Sequence, residues 1–553
     1  MAASTLSSRP RPIWSPMATS IANLFRLARA GFVFAQYGVR LVPKGQKVPL
    51  LLRIGQMATW PVRVVTWPFR AREPREQRIS AAFTKLGPSY IKLGQFMATR
   101  ADVIGQETAE DLRHLQDSLK PFSMAEARRA VEDALGGRLE DHFTSFGPPI
   151  AAASIAQVHK ATVATETGER EVAVKILRPG VERRFRHDLD SFYFAARLIE
   201  WAHPPSRRLR PVAVVDTLKR TTELEMDLRL EAAAISEMAD NIVDDAELDG
   251  GKFRVPTVDW RRTAKRMMTL EWIDGIPISD RDALAAQGHD LQALGLTVIR
   301  SFLRHAMRDG FFHADMHQGN LFVDPAGNVV AVDFGIMGRL GRMERRYLAE
   351  ILNGLITRDY MQAAQVHFDA GYVPPHHPVA VFAQAMRAIG EPIHGRTADE
   401  ISMADLLGQL FAYTDVFDMQ TRPELIMLQK SMVIVEGVAR SLDPNINMWT
   451  AAEPVAKDWV EKTYGVAGRL KDAGEGANVI GRLITEAPRL IAEAERAGHS
   501  LAQMADTGIR LDDETIRRIA VNERQQGLWG RIALWIIAIS VTALAAATVF
   551  GPQ

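Results

Sequence analysis

The sequence predicts an α+β chain built of two lobes, and three observations carry that prediction. Strand character is concentrated in residues 146–179 and in a run that ends at Leu270-Glu271-Trp272-Ile273-Asp274-Gly275, while helical periodicity prevails from there to about Asn522. That run closes on Gly275 and Pro277, as a hinge between a strand-bearing part and a helical part would. Finally, Phe311 to Gly335 reads FFHADMHQGNLFVDPAGNVVAVDFG, in which Leu321–Val323 and Val329–Val332 flank a turn at Asp324–Asn328 and form a hairpin.

A chain of 553 residues, 47% hydrophobic and 24% charged, describes an ordinary globular protein of roughly two to four domains. No cysteine occurs, which excludes disulfides and thiolate metal sites. The net charge of +1 conceals an asymmetry. Residues 1–72 hold eleven arginines and lysines and no acid, so the remainder carries −10.

Residues 1–16 are Ser-, Pro- and Arg-rich and are expected to be disordered. Asn23, Arg26 and Arg29 interrupt any apolar signal-peptide core. Apolar residues recur at helical spacing from Met17 to Val42, and a second apolar–basic stretch with Trp60, Trp67 and Phe69 runs to Arg70. Basic charge interleaved with aromatics suits the anionic face of a membrane; a solvated basic face and nucleic acid are the competing readings. Leu86–Asp117 has helical periodicity and encloses Lys92-Leu93-Gly94-Gln95, with Gly94 a costly interior residue. Ser123 caps a helix that runs to Leu135 and stops at Gly136-Gly137. Two strands, Ala156–Thr165 and Glu171–Leu177, flank a turn at Thr167-Gly168. Asp188–Trp201 and Val212–Glu237 read as helices, and a charged helix covers Met343–Leu355. His376-His377, between prolines, reads as an exposed turn rather than a metal site. Residues 465–522 form amphipathic helices, and Ile532–Phe550 is a 19-residue run without charge, long enough to span a bilayer. Arg524 and Arg531 precede it and no charge follows, which puts the bulk of the chain on the cytoplasmic side; a buried terminal helix is the competing reading.

The chemistry lies in the ordered set of short motifs. Asp315 falls in H-A-D, Asn320 follows five residues later, and Asp333 opens D-F-G. Each triplet alone is turn chemistry. In order, with a hairpin returning Asp333 toward Asp315, they match the catalytic loop of phosphoryl-transfer enzymes: an Asp near the transferred group, an Asn and an Asp for a divalent cation. Val172-Ala173-Val174-Lys175 matches the strand whose lysine holds phosphates. Such a lysine needs a helical carboxylate, and Glu231 is the first candidate, with Glu225 and Asp227 after it. Where a kinase has its glycine-rich loop, this chain has Pro149-Ile150-Ala151-Ala152-Ala153-Ser154-Ile155-Ala156-Gln157, and each alanine Cβ obstructs the closing of backbone N–H groups on phosphates. The backbone of the hinge, at Glu271 and Ile273, would meet the adenine edge. No A-P-E follows D-F-G, and Ala314 stands where H-R-D has arginine, so a peptide platform and control by loop phosphorylation have weak support.

Assembled, these residues resemble the UbiB family of atypical protein-kinase-like proteins, strongly over residues 80–340. Lys92-Leu93-Gly94-Gln95 is similar to the family's K-x-G-Q, Ala151–Gln157 to its alanine-rich loop, and Glu225-Met226-Asp227 to its E-x-D. Gln318 departs from the family by replacing the proline of H-x-D-x-H-P-G-N, which would loosen that loop, and one spanning segment is clear where bacterial members commonly have two. The resemblance implies a two-lobed atypical kinase-like fold with a helical N-terminal extension, a mostly helical C-lobe and a C-terminal transmembrane helix. The corresponding parts are a basic segment (1–79), the extension (80–142), the N-lobe (143–275), the C-lobe and tail (276–525) and the membrane segment (526–553). It further implies ATP and Mg²⁺ as cofactors, with Lys175, Glu231 and Asp315 catalytic, residues 151–157, Glu271 and Ile273 at the nucleotide, Asn320 and Asp333 on the metal, and Lys92, Gly94, Gln95, Glu225 and Asp227 closing the site. The expected function is a membrane-anchored ATPase on the cytoplasmic face of a bacterial inner membrane that supports ubiquinone biosynthesis. Its expected partners are membrane lipids, prenylated quinone precursors and other proteins of that pathway, not nucleic acid, with room for a homodimer. A protein or lipid kinase and a nucleotide-gated scaffold are the alternatives. The family's older description as a hydroxylase finds no dinucleotide fingerprint, cysteine ligand or iron facial triad to rest on.

Overall fold

The computed structural model describes residues 17–37, 78–98, 108, 111–112, 115, 119–202, 210–243, 252–395, 413, 416–419 and 423–464. The chain divides at Val460 into two compact units, and the elements that build the site belong to the first.

The basic segment opens with α1 (Met17–Gln36), which buries Ala30, Val33 and Ala35 and leaves Leu24, Phe25 and Phe32 exposed. α1 packs beside α2 (Arg78–Leu86) and α3 (Pro88–Ala98), with Phe34, Phe83 and Tyr90 in successive ring contacts. Of the helix expected over Leu86–Asp117, the described residues give α3 over Pro88–Ala98, separated from α2 by Gly87. Its φ of +104° suits only glycine, and Pro88 then starts α3. The Asp111 carboxylate turns back to accept the N–H groups of Ile79 and Ser80 and the Ser80 hydroxyl, satisfying the start of α2.

Ser123 and Glu126 form a capping box at the head of α4 (Met124–Leu135), and α5 (Leu139–His142) follows. The chain then enters an antiparallel sheet of β1 (Ser145–Ala152), β2 (Ala156–Thr165) and β3 (Gly168–Leu177). Three long helices, α6 (Val181–Ala202), α7 (Pro211–Glu225) and α8 (Leu228–Ile242), precede β4 (Phe253–Arg254), β5 (Met267–Glu271) and β6 (Ile276–Pro277). β5 completes the sheet in the order β1-β2-β3-β5. Along β3, Val172, Val174 and Ile176 point into a core shared with Ala127, Val131, Leu139 and Phe143. Because strand side chains alternate, Lys175 is thereby presented on the opposite face.

The single helix expected over Val212–Glu237 is two helices. Asp227 stops the first by taking the N-cap of α8, where its carboxylate accepts the Arg229 N–H and pairs with the Arg229 guanidinium. A short acidic side chain does more at a helix start than inside one.

The C-lobe contains α9 (Arg281–Ala286), α10 (Leu291–Arg304), β7 (Phe311–His313), β8 (Leu321–Val323), β9 (Val329–Ala331), β10 (Met337–Arg339), α11 (Arg342–Ile356), α12 (Tyr360–Asp369), α13 (Val379–Gly395), α14 (Pro423–Leu442) and α15 (Met448–Tyr464). β8 and β9 form the expected hairpin within a sheet ordered β4-β9-β8-β6. Its buried residues Leu321, Val323, Val329 and Ala331 share one core with Val298, Ile299 and Phe302 of α10 and Val435, Val438 and Ala439 of α14. β10 pairs back on β7, and α11 begins at once. Among the described residues, no helix is long and apolar enough to cross a membrane. The run Ile532–Phe550 lies outside the described residues, as do residues 38–77 and 465–522.

Asp227→Ala removes the cap of α8 and is expected to lower the unfolding free energy by about 1 kcal/mol, whereas Asp227→Asn, which still caps, should lower it less. Urea unfolding monitored by far-UV circular dichroism reads both; equal midpoints for all three proteins would show that the cap contributes nothing.

Candidate active site

Lys175 stands at the centre. Its Nζ lies 2.6 Å from Glu231 Oε1 on α8 and 3.5 Å from Asp333 Oδ1 after β9. Burial alone would pull this ammonium down; the Asp333 and Glu231 charges outweigh it and raise it above its ordinary value, so Lys175 remains a cation. Glu231 is pushed up, first by burial and then by the like charge of Asp333, against the pull of Lys175. Asp333 is held well below the carboxylate range, chiefly by Lys175, and further by the Gly335 N–H and by His313 and Lys92. One cation thus serves two carboxylates, one from α8 and one from the segment after β9.

The catalytic loop is pinned from several sides. Asn320 Nδ2 donates to Asp315 O at 3.0 Å, and the Asn320 N–H donates to His317 O. His317 Nδ1 accepts the Gly319 N–H at 3.0 Å, so the turn is closed although Gln318 stands in the proline's place. The Asp315 carboxylate is half-buried, with His317 Nε2 3.7 Å away. Two supports went unread in the sequence. His313 is buried, stacks edge-on against Phe334 at 4.9 Å, and accepts the Asp315 N–H at Nδ1. Burial lowers its affinity for a proton, and because Nδ1 accepts the Asp315 N–H, the neutral form of the ring carries its hydrogen on Nε2. The Ser431 hydroxyl on α14 lies 3.1 Å from Ala314 O and ties the loop to the helical core. The H-A-D triplet pointed to His313; nothing in the sequence pointed to Ser431.

The alanine-rich stretch corrects the expectation in part. Ala151 and Ala152 end β1, and only Ala153–Ile155 form the turn. Ala153 N–H donates to Ala156 O at 2.8 Å, and Ala153 O accepts Nε and Nη2 of Arg178 at 3.1 and 2.9 Å. Ala156 and Ile155 pack into the core. Gln157, expected at the nucleotide, is fully buried and committed elsewhere: Oε1 accepts the Phe122 N–H at 2.9 Å and Nε2 lies 2.8 Å from His159 Nε2. A buried amide must place its polar atoms, and the extension's backbone offered the partner. The Ser154 hydroxyl is buried without a hydrogen-bond partner among the described residues.

At the hinge, the Glu271 N–H donates to Thr257 O at 2.8 Å and is not free for an adenine. Its carboxylate accepts Arg254 Nη1 at 3.0 Å, while Arg254 Nε reaches Asp324 Oδ2 at 2.8 Å, so one arginine links hinge and hairpin. Ile273 is half-buried in the irregular stretch between β5 and β6.

The extension meets this site through Lys92 on α3, whose Nζ lies 2.9 Å from Glu225 Oε2 with both side chains largely buried. Glu225 and Asp227 therefore do not pair with Lys175; one holds Lys92 and the other Arg229. Gly94 lets helices approach: a Cβ there would meet Leu115 and Phe83 well inside contact distance. Gln95 is half-buried beside it.

Residues 114–367 match the family described as the ABC1 atypical kinase-like domain, and residues 386–447 match the UbiB helical domain. The chain is 38% identical over 455 residues to the probable protein kinase UbiB of Marinobacter nauticus, covering 81% of each. It is 34% identical over 551 residues to the protein of the same name from Xylella fastidiosa, covering 96% of this chain and 94% of the other. A solved structure, the complex of Rv3197 with erythromycin from Mycobacterium tuberculosis, gives a TM-score of 0.45 at 23% identity over 73% of this chain and 98% of that one.

Two substitutions test how the site is held. Gln157→Ala strands the Phe122 N–H and the His159 ring, an expected loss of about 1–3 kcal/mol. Lys92→Ala leaves the buried Glu225 carboxylate without that cation and should cost about 3 kcal/mol, part of which returns in Lys92→Ala/Glu225→Ala. Denaturant midpoints read each change, and strict additivity of the last pair would show that the two residues do not interact.

Proposed function

Because the chain belongs to the UbiB family of atypical kinase-like proteins, we propose that it binds ATP with Mg²⁺ between its lobes and hydrolyses the nucleotide in support of ubiquinone biosynthesis. The observation that carries this reading is the cluster of Lys175, Glu231 and Asp333, which draws β3, α8 and the D-F-G segment onto one ammonium.

The donors fit a hard divalent cation. Asp333 supplies a carboxylate, and Asn320, its Nδ2 engaged with Asp315 O, has its amide oxygen to offer. Bound Mg²⁺ would neutralise phosphate charge as it develops. Lys175 orients the phosphates and Glu231 orients Lys175. Asp315 positions the attacking water or hydroxyl and takes up its proton at the carboxylate. The Ser154 hydroxyl is a donor that a phosphate oxygen would satisfy.

Chain length supports water or a small molecule as the acceptor. β10 returns to β7 directly after D-F-G and α11 starts at Arg342, so no extended segment is present to seat a peptide. Water or a small acceptor suits this site better. A place at the membrane is supported by α1, whose Leu24, Phe25 and Phe32 are exposed. A cleft of about 450 Å³ beside it is lined by Arg26, Arg29, Arg183, Arg184 and His187, with Asp188 the one acid among them. We assign the run Ile532–Phe550 as a single-pass anchor from its sequence, with the lobes on the cytoplasmic face and prenylated precursors and partner proteins of the pathway within reach.

The test is Mg²⁺-dependent ATP hydrolysis by the full chain, with and without anionic liposomes and a prenylated phenol. Asp315→Asn and Asp333→Asn should each reduce turnover by about 10²-fold or more, and liposomes should raise it. Nucleotide binding without turnover under every condition would overturn the ATPase reading in favour of a nucleotide-gated scaffold.

A further inference from the structure

Among the described residues, one group of three potential metal ligands stands close together, and it lies in the helical lobe, outside the site above. Pro374-Pro375-His376-His377-Pro378 connects α12 to α13, and the His377 N–H closes a turn on Pro374 O. The sequence, with prolines on both sides of the pair, reads this as an exposed turn rather than a metal site. Asp418, 41 positions after His377, returns to it. Asp418 Oδ2 lies 3.3 Å from His377 Nε2 and 3.5 Å from His376 Nε2, and the three ligand atoms all lie within 4.8 Å of one another.

Both distances are long for hydrogen bonds to a carboxylate. They are close to what a shared cation requires. Zinc bonds of ~2.0–2.1 Å in a tetrahedron separate the donor atoms by roughly 3.3 Å. The two imidazoles lie 4.1 Å apart, tilted by 39°, with both Nε2 atoms turned to the same oxygen.

Each arm of the group is anchored. Prolines on both sides of the histidine pair restrict its backbone. His377 stacks edge-on against Phe417 at 5.4 Å, and Phe417 packs on Phe382 at 5.0 Å within a buried cluster with Tyr360 and Met386. Asp418 adopts φ +49°, a conformation that short polar side chains tolerate better than others. His376 and Asp418 have side chains 63% and 67% exposed, so an ion would enter freely and keep a position for water.

We propose that His376, His377 and Asp418 bind one zinc-class divalent cation, with water completing the coordination. Two imidazoles and one carboxylate select Zn²⁺ and its neighbours among transition metals over Mg²⁺ or Ca²⁺. The ion clips the turn between α12 and α13 to the segment carrying Asp418, and both rest on the same aromatic cluster.

The experiment is equilibrium dialysis of metal-stripped full-length protein against Zn²⁺, with Mg²⁺ as the comparison, alongside thermal unfolding. The wild type should bind one Zn²⁺ with a Kd in the micromolar range or tighter and gain thermal stability. His377→Ala and Asp418→Asn should weaken binding at least tenfold and abolish the gain, while Mg²⁺ does nothing to either. Unfolding without metal checks that the variants fold, and Asp418→Asn keeps both the volume and the tolerance of positive φ. Undiminished Zn²⁺ binding in folded variants, or wild-type binding only at millimolar Zn²⁺, would overturn the proposal. Neither readout involves nucleotide.

Discussion

Everything around the candidate site depends on keeping one ammonium charged away from bulk water. Lys175 is presented on the inner face of β3 because its neighbours Val174 and Ile176 fill the outer core. A buried lysine without partners would shed its proton; here Glu231 and Asp333 prevent it. The consequence reaches beyond the lysine. To supply Glu231, α8 must start where it does, which is why Asp227 caps it and the preceding helix stops at Glu225. To supply Asp333, the hairpin must return from Asn320, which is why its turn is tied through Asp324 to Arg254.

Burial also imposes a second rule, that polar groups in the interior find partners, and it reassigns residues by position rather than by type. Gln157 and Ser154 occupy adjacent parts of one stretch. The amide fastens the extension to the sheet, and the hydroxyl has no partner among the described residues. Ser431 and His313 act on one peptide group just before Asp315, the first at Ala314 O and the second at the Asp315 N–H.

What could be read from the chain, and what could not, divides along the same line. Lys175, Glu231, Asp315, Asn320 and Asp333 were legible because a strand period of two, a helix and a hairpin fix which side chains can meet, and five residues in order leave few alternatives. The hairpin and the capped helix from Ser123 were legible from turn and cap chemistry, and the helix near Met343 from its charged, helical pattern. The break at Asp227 was not: periodicity continues across it, and only the competition between cap and helix interior decides it. Glu271 illustrates the remaining class: its role as a partner of Arg254 is set by a residue 17 positions away, which no local pattern announces.

The tethering of the alanine-rich turn by Arg178 has a thermodynamic consequence. A flexible glycine loop gives up conformational freedom when it folds over a ligand, and binding to it carries an unfavourable ordering entropy. Here the turn's carbonyl is already clamped by two guanidinium nitrogens and its flank is sewn to the extension through Phe122. A nucleotide bound as proposed would meet a wall whose ordering was completed during folding. Its association at this end of the cleft would be governed by desolvation and charge, and its heat-capacity change would measure the surface covered and not a loop coming to rest.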